Sequence, residues 1–195
     1  MKRITRLGLL ALVAATAGCS TVVPPRQPLN LCAVFAEKGD WRKPAARSEA
    51  RWGVPVPVLM ATMYHESSYK ADARPPRRYF LGFIPGPRPS SAYGYAQAKD
   101  EVWAEYVDRQ NRWFASRGDF ADAIDFIGWY HQGSAQALGI RPDDMRNLYL
   151  AYNEGRGGFS RGSYLNKPGL LNYTAQKVLP TAARYSQQYA GCPLR

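Results

Sequence analysis

The amino-acid sequence predicts a mostly α-helical domain, and three observations support this fold class. Apolar residues recur at helical spacing in four or five of the six segments that are predicted to be helices. Glycine or proline stands at the borders of most of these segments, where helices commonly begin or end. No segment alternates clearly between apolar and polar residues, as a half-buried strand would. The chain has no internal repeat, so we expect one domain with a single core.

The predicted helices of the first half have clear boundary signals. The first covers Trp41 to Trp52 and ends at Gly53. Pro57 suits the first turn of the second helix, where its missing N–H is harmless. A third helix is expected from about Asp100 to Ser116. Its predicted apolar stripe consists of Val102, Trp103, Tyr106, Val107, Trp113 and Phe114.

Three further helices are predicted in the second half. Asp119 is a candidate N-cap for the first of them, with Asp122 as the partner carboxylate of a capping box. Pro142 stands at the start of the next helix, which we expect to stop at a glycine-rich turn over residues 155–162. The last helix is expected from near Leu171 to about Tyr189.

Residues 1–18 have the layout of a secretory leader. Three basic residues precede an apolar run from Leu7 to Ala17, which is too short to span a bilayer. The small residues directly before Cys19 resemble the lipobox of bacterial lipoproteins, which implies cleavage before Cys19 and attachment of lipid to it. Ser20 then favours the periplasmic face of the outer membrane. A plain signal peptide cut at another site is the alternative.

After the leader, residues 19–40 are predicted to be the lipid attachment site and a proline-rich tether, and residues 41–195 the domain. The formal net charge of +11 falls to +8 once the three basic leader residues are removed. An exported protein meets little nucleic acid, so we expect an acidic cell-wall polymer as its partner and no nucleic acid. We expect a monomer without a cofactor, and envelope machinery is a further candidate partner.

Two cysteines remain once Cys19 carries lipid. Cys32 and Cys192 stand near the two ends of the domain, and an oxidising periplasm permits a disulfide between them. We predict this disulfide, with two free buried thiols as the alternative. No cysteine or histidine spacing indicates zinc, so no metal site is predicted.

Residues 73–91, called the flap below, combine prolines and arginines with aromatic and aliphatic residues. We predict a long loop with a short strand pair around Tyr79 to Ile84. Loops of this length tend to be functional, and arginines with exposed aromatics suit carboxylates and sugars. The alternative is a surface excursion that only covers the core.

Glu66 is the main candidate for chemistry. Leu59, Met63 and Glu66 share one face of the second helix, which is apolar apart from the carboxylate. A carboxyl at the end of such a stripe is paired, exposed in a cleft, or kept protonated by desolvation. Desolvation would make a general acid that works near neutral pH. The alternative is a solvated glutamate at a helix end.

Four motifs follow one another along the chain: Glu66-Ser67-Ser68-Tyr69, Tyr93-Gly94-Tyr95-Ala96-Gln97, Ala151-Tyr152-Asn153-Glu154-Gly155 and Asn172-Tyr173. In this order they resemble the motifs of the soluble lytic transglycosylase (SLT), or goose-type lysozyme-like, family. The resemblance covers roughly residues 50–190. It implies a lysozyme-like helical fold with the flap as an active-site loop. The family cleaves the β-1,4 bond between N-acetylmuramic acid and N-acetylglucosamine in peptidoglycan.

The resemblance implies that Glu66 is the single catalytic acid and base, and that the product is a 1,6-anhydromuramic acid end. The family's Gly-Leu-Met-Gln motif is replaced here by Gly94-Tyr95-Ala96-Gln97. We assign Tyr149 to core packing. The residues implied to bind substrate are Ser67, Ser68, Tyr69, Gly94, Tyr95, Gln97, Tyr152, Asn153 and Tyr173.

Two other functions stay open from the sequence. A muramidase on the same fold would need a second carboxylate roughly 5–10 Å away to activate water. The candidates Asp72, Asp100 and Glu154 are more simply explained as loop, cap or surface charges. A non-catalytic peptidoglycan-binding envelope lipoprotein would keep the fold, but the presence of Glu66 argues against it.

Overall fold

The computed structural model describes residues 23–192 and confirms a mostly α-helical fold. The predicted leader, Cys19 and the first residues of the tether lie outside this range. No helix within it is long and apolar enough to cross a membrane. The elements in chain order are α1 Leu31–Glu37, α2 Arg42–Trp52, α3 Val56–Ser67, β1 Tyr79–Phe80, β2 Ile84–Pro85, α4 Asp100–Gln110, α5 Phe120–Leu138, α6 Met145–Ser160, a 3-10 helix Ser163–Asn166, α7 Pro168–Tyr173, a π-helical turn Thr174–Val178 and α8 Leu179–Gly191.

Several boundaries confirm the predicted signals. Gly53 ends α2 with a left-handed φ of 70°, and Pro57 lies in the first turn of α3. The side chain of Asp119 accepts a hydrogen bond from the N–H of Asp122 at the start of α5. The predicted strand pair in the flap is present as the antiparallel hairpin of β1 and β2.

Helix α3 lies at the centre of the core and is apolar on nearly every side. Residues 56–63 are all buried, as expected of a helix without a polar face. Helices α2, α5 and α8 pack around it. At one edge of this core the ring of Trp41 stacks on Phe120 with centroids 4.1 Å apart. Glu66 therefore lies in the last turn of a helix that is deeply buried in the core.

The domain begins earlier than predicted. Residues 31–37 form α1 instead of a tether, because Asn30 caps the helix and Leu31, Val34 and Phe35 are buried in the core. The predicted disulfide between Cys32 and Cys192 is present and ties α1 to the end of α8.

Helix α4 is shorter than predicted. Asn111 adopts a left-handed conformation with a φ of 52° and ends the helix. The carboxylate of Asp122 accepts hydrogen bonds from Arg112 and from the N–H of Ser116, so the predicted capping box is not formed. These contacts fold the chain away from the predicted helical path. Two residues of the predicted stripe are exposed as a result: Trp113 and Phe114.

Two predictions in the last third are also corrected. The first part of α6 ends where predicted, because Gly155 has non-helical backbone angles (φ 72°, ψ 157°), but residues 156–160 then form a second helical stretch up to Ser160 instead of a turn. The single last helix is instead divided into α7, the π-helical turn and α8. The kink follows Asn153 and the π-helical turn follows Tyr173, and such irregularities are frequent at functional sites.

Candidate active site

A cleft of about 340 Å³ opens beside the C-terminal end of α3. Its other walls come from the loop 92–99, the start of α4, the middle of α5 and the kinked part of α6. The residues that line it are Glu66, Ala92, Gln97, Ala98, Lys99, Val102, Phe126, Tyr130, Tyr152, Asn153, Glu154 and Gly155. The cleft thus brings together four of the predicted site residues: Glu66, Gln97, Tyr152 and Asn153.

The carboxyl of Glu66 is largely removed from water. The residue as a whole is partly exposed to the cleft, but its Oε1 atom is buried and has no hydrogen-bond partner within residues 23–192. Burial raises the pKa of Glu66 from 4.5 to about 7, and an interaction with the hydroxyl of Tyr149 partly opposes this rise. A carboxyl with this pKa can both donate and accept a proton near neutral pH.

Three tyrosines surround this carboxyl. Burial is the main cause that raises the pKa of Tyr149, Tyr152 and Tyr173, and the nearby Glu66 raises each of them further. The three phenols therefore keep their protons and can act as hydrogen-bond donors. Tyr149 is only 3% exposed and was assigned to core packing from the sequence. Its position three residues before Tyr152 on α6, and so on the same face, is the signal that could have identified it.

Tyr152 joins α6 to the loop across the cleft. Its hydroxyl donates to the carbonyl oxygen of Ala96 at 2.6 Å, and its ring packs against Tyr130 and His131. Tyr152 therefore lines the cleft with its ring, while its hydroxyl fixes the loop.

Gln97 fixes the same loop from the other side. Its side-chain Nε2 donates to the carbonyl oxygens of Ala73 and Gly94, both at 2.9 Å. Both N–H bonds of the amide are used in this way, so its carbonyl oxygen is the atom left to face the cleft. Gln97 adopts a φ of 47°, and these two hydrogen bonds hold it in that unusual conformation.

Gly94 and Tyr95 do not contact the cleft, and their predicted role in substrate binding is corrected to a structural one. Gly94 is buried with a φ of 76°, and a Cβ atom there would come within 2.1 Å of the carbonyl oxygen of Arg117. Tyr95 is 1% exposed, because its ring packs edge-on against the stacked rings of Trp41 and Phe120. Gly94 therefore allows the loop backbone to lie close to Arg117, and the buried ring of Tyr95 attaches the loop to the core.

Ser67 and Tyr69 of the Glu-Ser-Ser-Tyr motif lie in the core instead of lining the cleft. Ser67 is buried and donates to the carbonyl oxygen of Met63, and Tyr69 is fully buried with its hydroxyl bonded to Met60 and Tyr185. Substrate contact is therefore wrong for these two residues. Ser68 is exposed and ends α3 in a left-handed conformation, but it does not line the cleft.

Tyr173 is held by a histidine that the sequence interpretation left without a role. The hydroxyl of Tyr173 lies 2.9 Å from Nδ1 of His65, the residue before Glu66. Burial lowers the pKa of His65 to about 4, although an interaction with the backbone at Lys177 partly opposes this, so the imidazole is neutral at physiological pH. His65 can therefore orient the phenol without bringing a positive charge near Glu66.

The cleft contains a second carboxylate, Glu154, which is not the surface charge predicted. Its side chain is 4% exposed and accepts hydrogen bonds from Lys167 at 2.7 and 2.9 Å and from Ser163 at 2.5 Å. The ammonium of Lys167, helped by Ser163, lowers the pKa of Glu154. Glu154 is thus an anion with both oxygen atoms occupied.

The other acidic candidates lie outside the cleft. Asp100 starts α4 and forms an ion pair with Arg117 at 2.7 Å, and Asp72 is exposed in the loop after α3. Within residues 23–192, no group of three or more His, Cys, Asp or Glu side chains is arranged to hold a metal ion. The chemistry that the cleft offers is therefore that of one protonatable carboxyl among hydrogen-bond donors.

Comparisons with known proteins agree with this geometry. A family model described as the transglycosylase SLT domain matches residues 7–192. A search of curated protein sequences finds no match. The family match spans almost the whole chain and confirms the lysozyme-like helical fold predicted from the motifs. The chain therefore belongs to the transglycosylase SLT domain family, and its activity is of the glycan-cleaving, peptidoglycan-directed type of that family.

Proposed function

We propose that the protein is a lytic transglycosylase that cleaves the β-1,4 bond between N-acetylmuramic acid and N-acetylglucosamine and leaves 1,6-anhydromuramic acid ends. One observation carries this proposal: the cleft holds a single available carboxyl, Glu66, whose pKa burial raises to about 7. A group that must first give up a proton and then recover one works best when its pKa lies near the operating pH.

The proposed reaction needs only this carboxyl and the substrate. Protonated Glu66 donates its proton to the glycosidic oxygen as the bond from that oxygen to C1 of the muramic acid breaks. The N-acetyl carbonyl of the same sugar stabilises the positive charge at C1. The carboxylate then removes the proton of the 6-hydroxyl while O6 bonds to C1. Glu66 ends protonated as it began, and no water is consumed.

The state of Glu154 supports transglycosylation over hydrolysis. A muramidase with two carboxylates needs the second one free to act as a nucleophile or to activate water. Both oxygen atoms of Glu154 are engaged by Lys167 and Ser163. Its carboxylate would have to leave these partners before it could bind water.

Three side chains are proposed to hold the glycan strand around Glu66. Asn153 is exposed in the cleft wall next to the kink in α6. Gln97 lines the same space, and its carbonyl oxygen is left to accept hydrogen bonds because both N–H bonds of its amide are already used. Tyr173 is 42% exposed and kept in place by His65. Amide and phenol groups are suited to the hydroxyl and N-acetyl groups of amino sugars.

We further propose that the protein is a lipoprotein anchored through Cys19 at the periplasmic face of the outer membrane. The disulfide between Cys32 and Cys192 supports an oxidising compartment. Labelling of cells with a radioactive fatty acid tests the anchor. The wild type should become labelled and Cys19→Ala should not, whereas equal labelling of both would exclude Cys19 as the attachment site.

Release of soluble fragments from purified sacculi tests the role of Glu66. We expect Glu66→Gln to lower the rate by about 10²–10⁴-fold, the usual contribution of a general acid. The matched control Glu101→Gln removes an exposed carboxylate on α4 and should leave the rate unchanged. Equal rates for wild type and Glu66→Gln would overturn the proposal. A wild-type protein that binds sacculi without releasing fragments would favour the non-catalytic alternative.

A further inference from the structure

The flap carries a cluster of exposed apolar side chains that the proposed reaction does not use. Exposure rises from 45% at Ile84 to 83% at Leu81. Single exposed apolar residues are ordinary, but a contiguous group of large ones marks a binding surface. The group, called the apolar tip below, consists of Tyr79, Phe80, Leu81, Phe83 and Ile84.

The hairpin that carries the apolar tip is held together by its own hydrogen bonds. The N–H of Phe83 donates to the carbonyl oxygen of Phe80 at 3.2 Å, and the N–H of Gly86 donates to that of Arg78 at 2.6 Å. At the base, the guanidinium of Arg77 donates to the carbonyl oxygen of Gly86 at 3.2 Å. Internal hydrogen bonds of this kind lower the cost of moving backbone into a medium with little water.

Positive charge surrounds the base of the apolar tip. Residues 73–99 contain no Asp or Glu, and the flap itself has arginines on both sides of the tip. Arg78 precedes the tip directly, and its side chain is exposed. Arg74 lies over the ring of Tyr93, so positive charge also lies beside the neighbouring loop. An apolar end behind which cations are gathered is the pattern of a segment that inserts into an anionic interface.

We infer that the flap docks on the surface of a bilayer that contains anionic phospholipid. Leu81 and Phe83 enter the boundary between headgroups and acyl chains, and the arginines meet the phosphates. A glycan strand is a poorer occupant, because the aliphatic side chains of Leu81 and Ile84 cannot stack on sugars and gain little from a hydrated polymer. This inference does not depend on the proposed reaction at Glu66.

Co-sedimentation with vesicles tests the apolar tip. The probe is a chain that begins at Ser20, which lacks Cys19 but keeps every element of the described fold. Vesicles of phosphatidylcholine with phosphatidylglycerol should bind it, and Leu81→Ser with Phe83→Ser should weaken binding at least about 10-fold. The matched control, Trp113→Ser with Phe114→Ser, removes two exposed aromatics outside the flap and should change binding less than about two-fold.

A charge reversal separates local docking from general attraction to a basic protein. Arg78→Glu and Arg47→Glu change the net charge equally, and both arginines are exposed, but Arg47 lies on α2. Only Arg78→Glu should weaken vesicle binding, by about 10-fold. The inference is overturned if the wild-type chain does not bind, if both reversals act equally, or if the serine variants bind normally. Loss of binding to sacculi instead of vesicles would assign the flap to the substrate, and loss of a dimer would assign it to a second copy.

Discussion

Replacement of Glu66 by glutamine should stabilise the folded protein at neutral and alkaline pH, although it removes the proposed catalytic group. The folded state holds this carboxyl away from water, with Oε1 unpaired within the described chain. Ionisation of such a group costs free energy in the folded protein but not in the unfolded chain. A neutral amide of similar size avoids that cost.

The sign and size follow from the two pKa values. Glu66 ionises near 4.5 when unfolded and near 7 when folded, so the folded state holds more protons between these values. The contribution of Glu66 to the free energy of unfolding therefore falls as pH rises from about 4.5 to 7, and the loss is complete above pH 7. One pKa unit corresponds to about 1.4 kcal/mol, so the full loss is about 3 kcal/mol.

Urea denaturation of wild type and Glu66→Gln checks this prediction. At pH 4 the two free energies of unfolding should be nearly equal, and at pH 8 the variant should be more stable by about 2–3 kcal/mol. Glu154→Gln is a control of opposite sign, because Lys167 and Ser163 lower the pKa of Glu154 and its ionised form stabilises the fold. That variant should be less stable than wild type at pH 8. A difference between wild type and Glu66→Gln that does not change with pH would refute the reasoning.

Three further predictions concern the groups around the site and the core. Tyr149→Phe removes an interaction that lowers the pKa of Glu66, so the pH at which kcat/KM falls on the alkaline side should rise. An unchanged pH profile would exclude this effect of Tyr149 on Glu66. Asp125→Ala removes a buried carboxylate that accepts hydrogen bonds from four side chains. Urea denaturation should show that the free energy of unfolding falls by about 3–5 kcal/mol. A fall of less than about 1 kcal/mol would contradict this prediction. Replacement of Cys32 and Cys192 by alanine opens a loop of about 160 residues. The same measurement should show that the free energy of unfolding falls by about 5 kcal/mol. An unchanged free energy would mean that the disulfide does not constrain the unfolded chain.

The sequence was most informative where local rules act. Gly53, Pro57 and Asp119 each set a helix end through their own backbone or side chain, and the structure places those ends as predicted. Glu66 was found because an apolar helical face with one carboxylate requires an explanation wherever it occurs. The flap hairpin was also predicted, since its residues have few partners elsewhere in the chain.

The wrong predictions concern residues whose burial and partners are set by contacts with residues far away in the sequence. Tyr69 and Tyr95 have the same chemistry as Tyr173, and only the tertiary packing determines that the first two are buried while the third is exposed. Glu154 is a carboxylate with both oxygen atoms bonded, because the chain after the kink at Gly155 brings Lys167 and Ser163 back to it. Such contacts between separated residues leave no periodic signal in the sequence.

Mass spectrometry of the fragments released from sacculi tests the central claim most directly. Each fragment made by a transglycosylase carries an anhydromuramic acid end and is lighter by one water than the hydrolysed fragment. The account predicts anhydro ends from the wild type and none from Glu66→Gln at pH 7. Reducing ends from the wild type would contradict it, because they require a water activated by a second carboxylate that the structure keeps bound to Lys167 and Ser163.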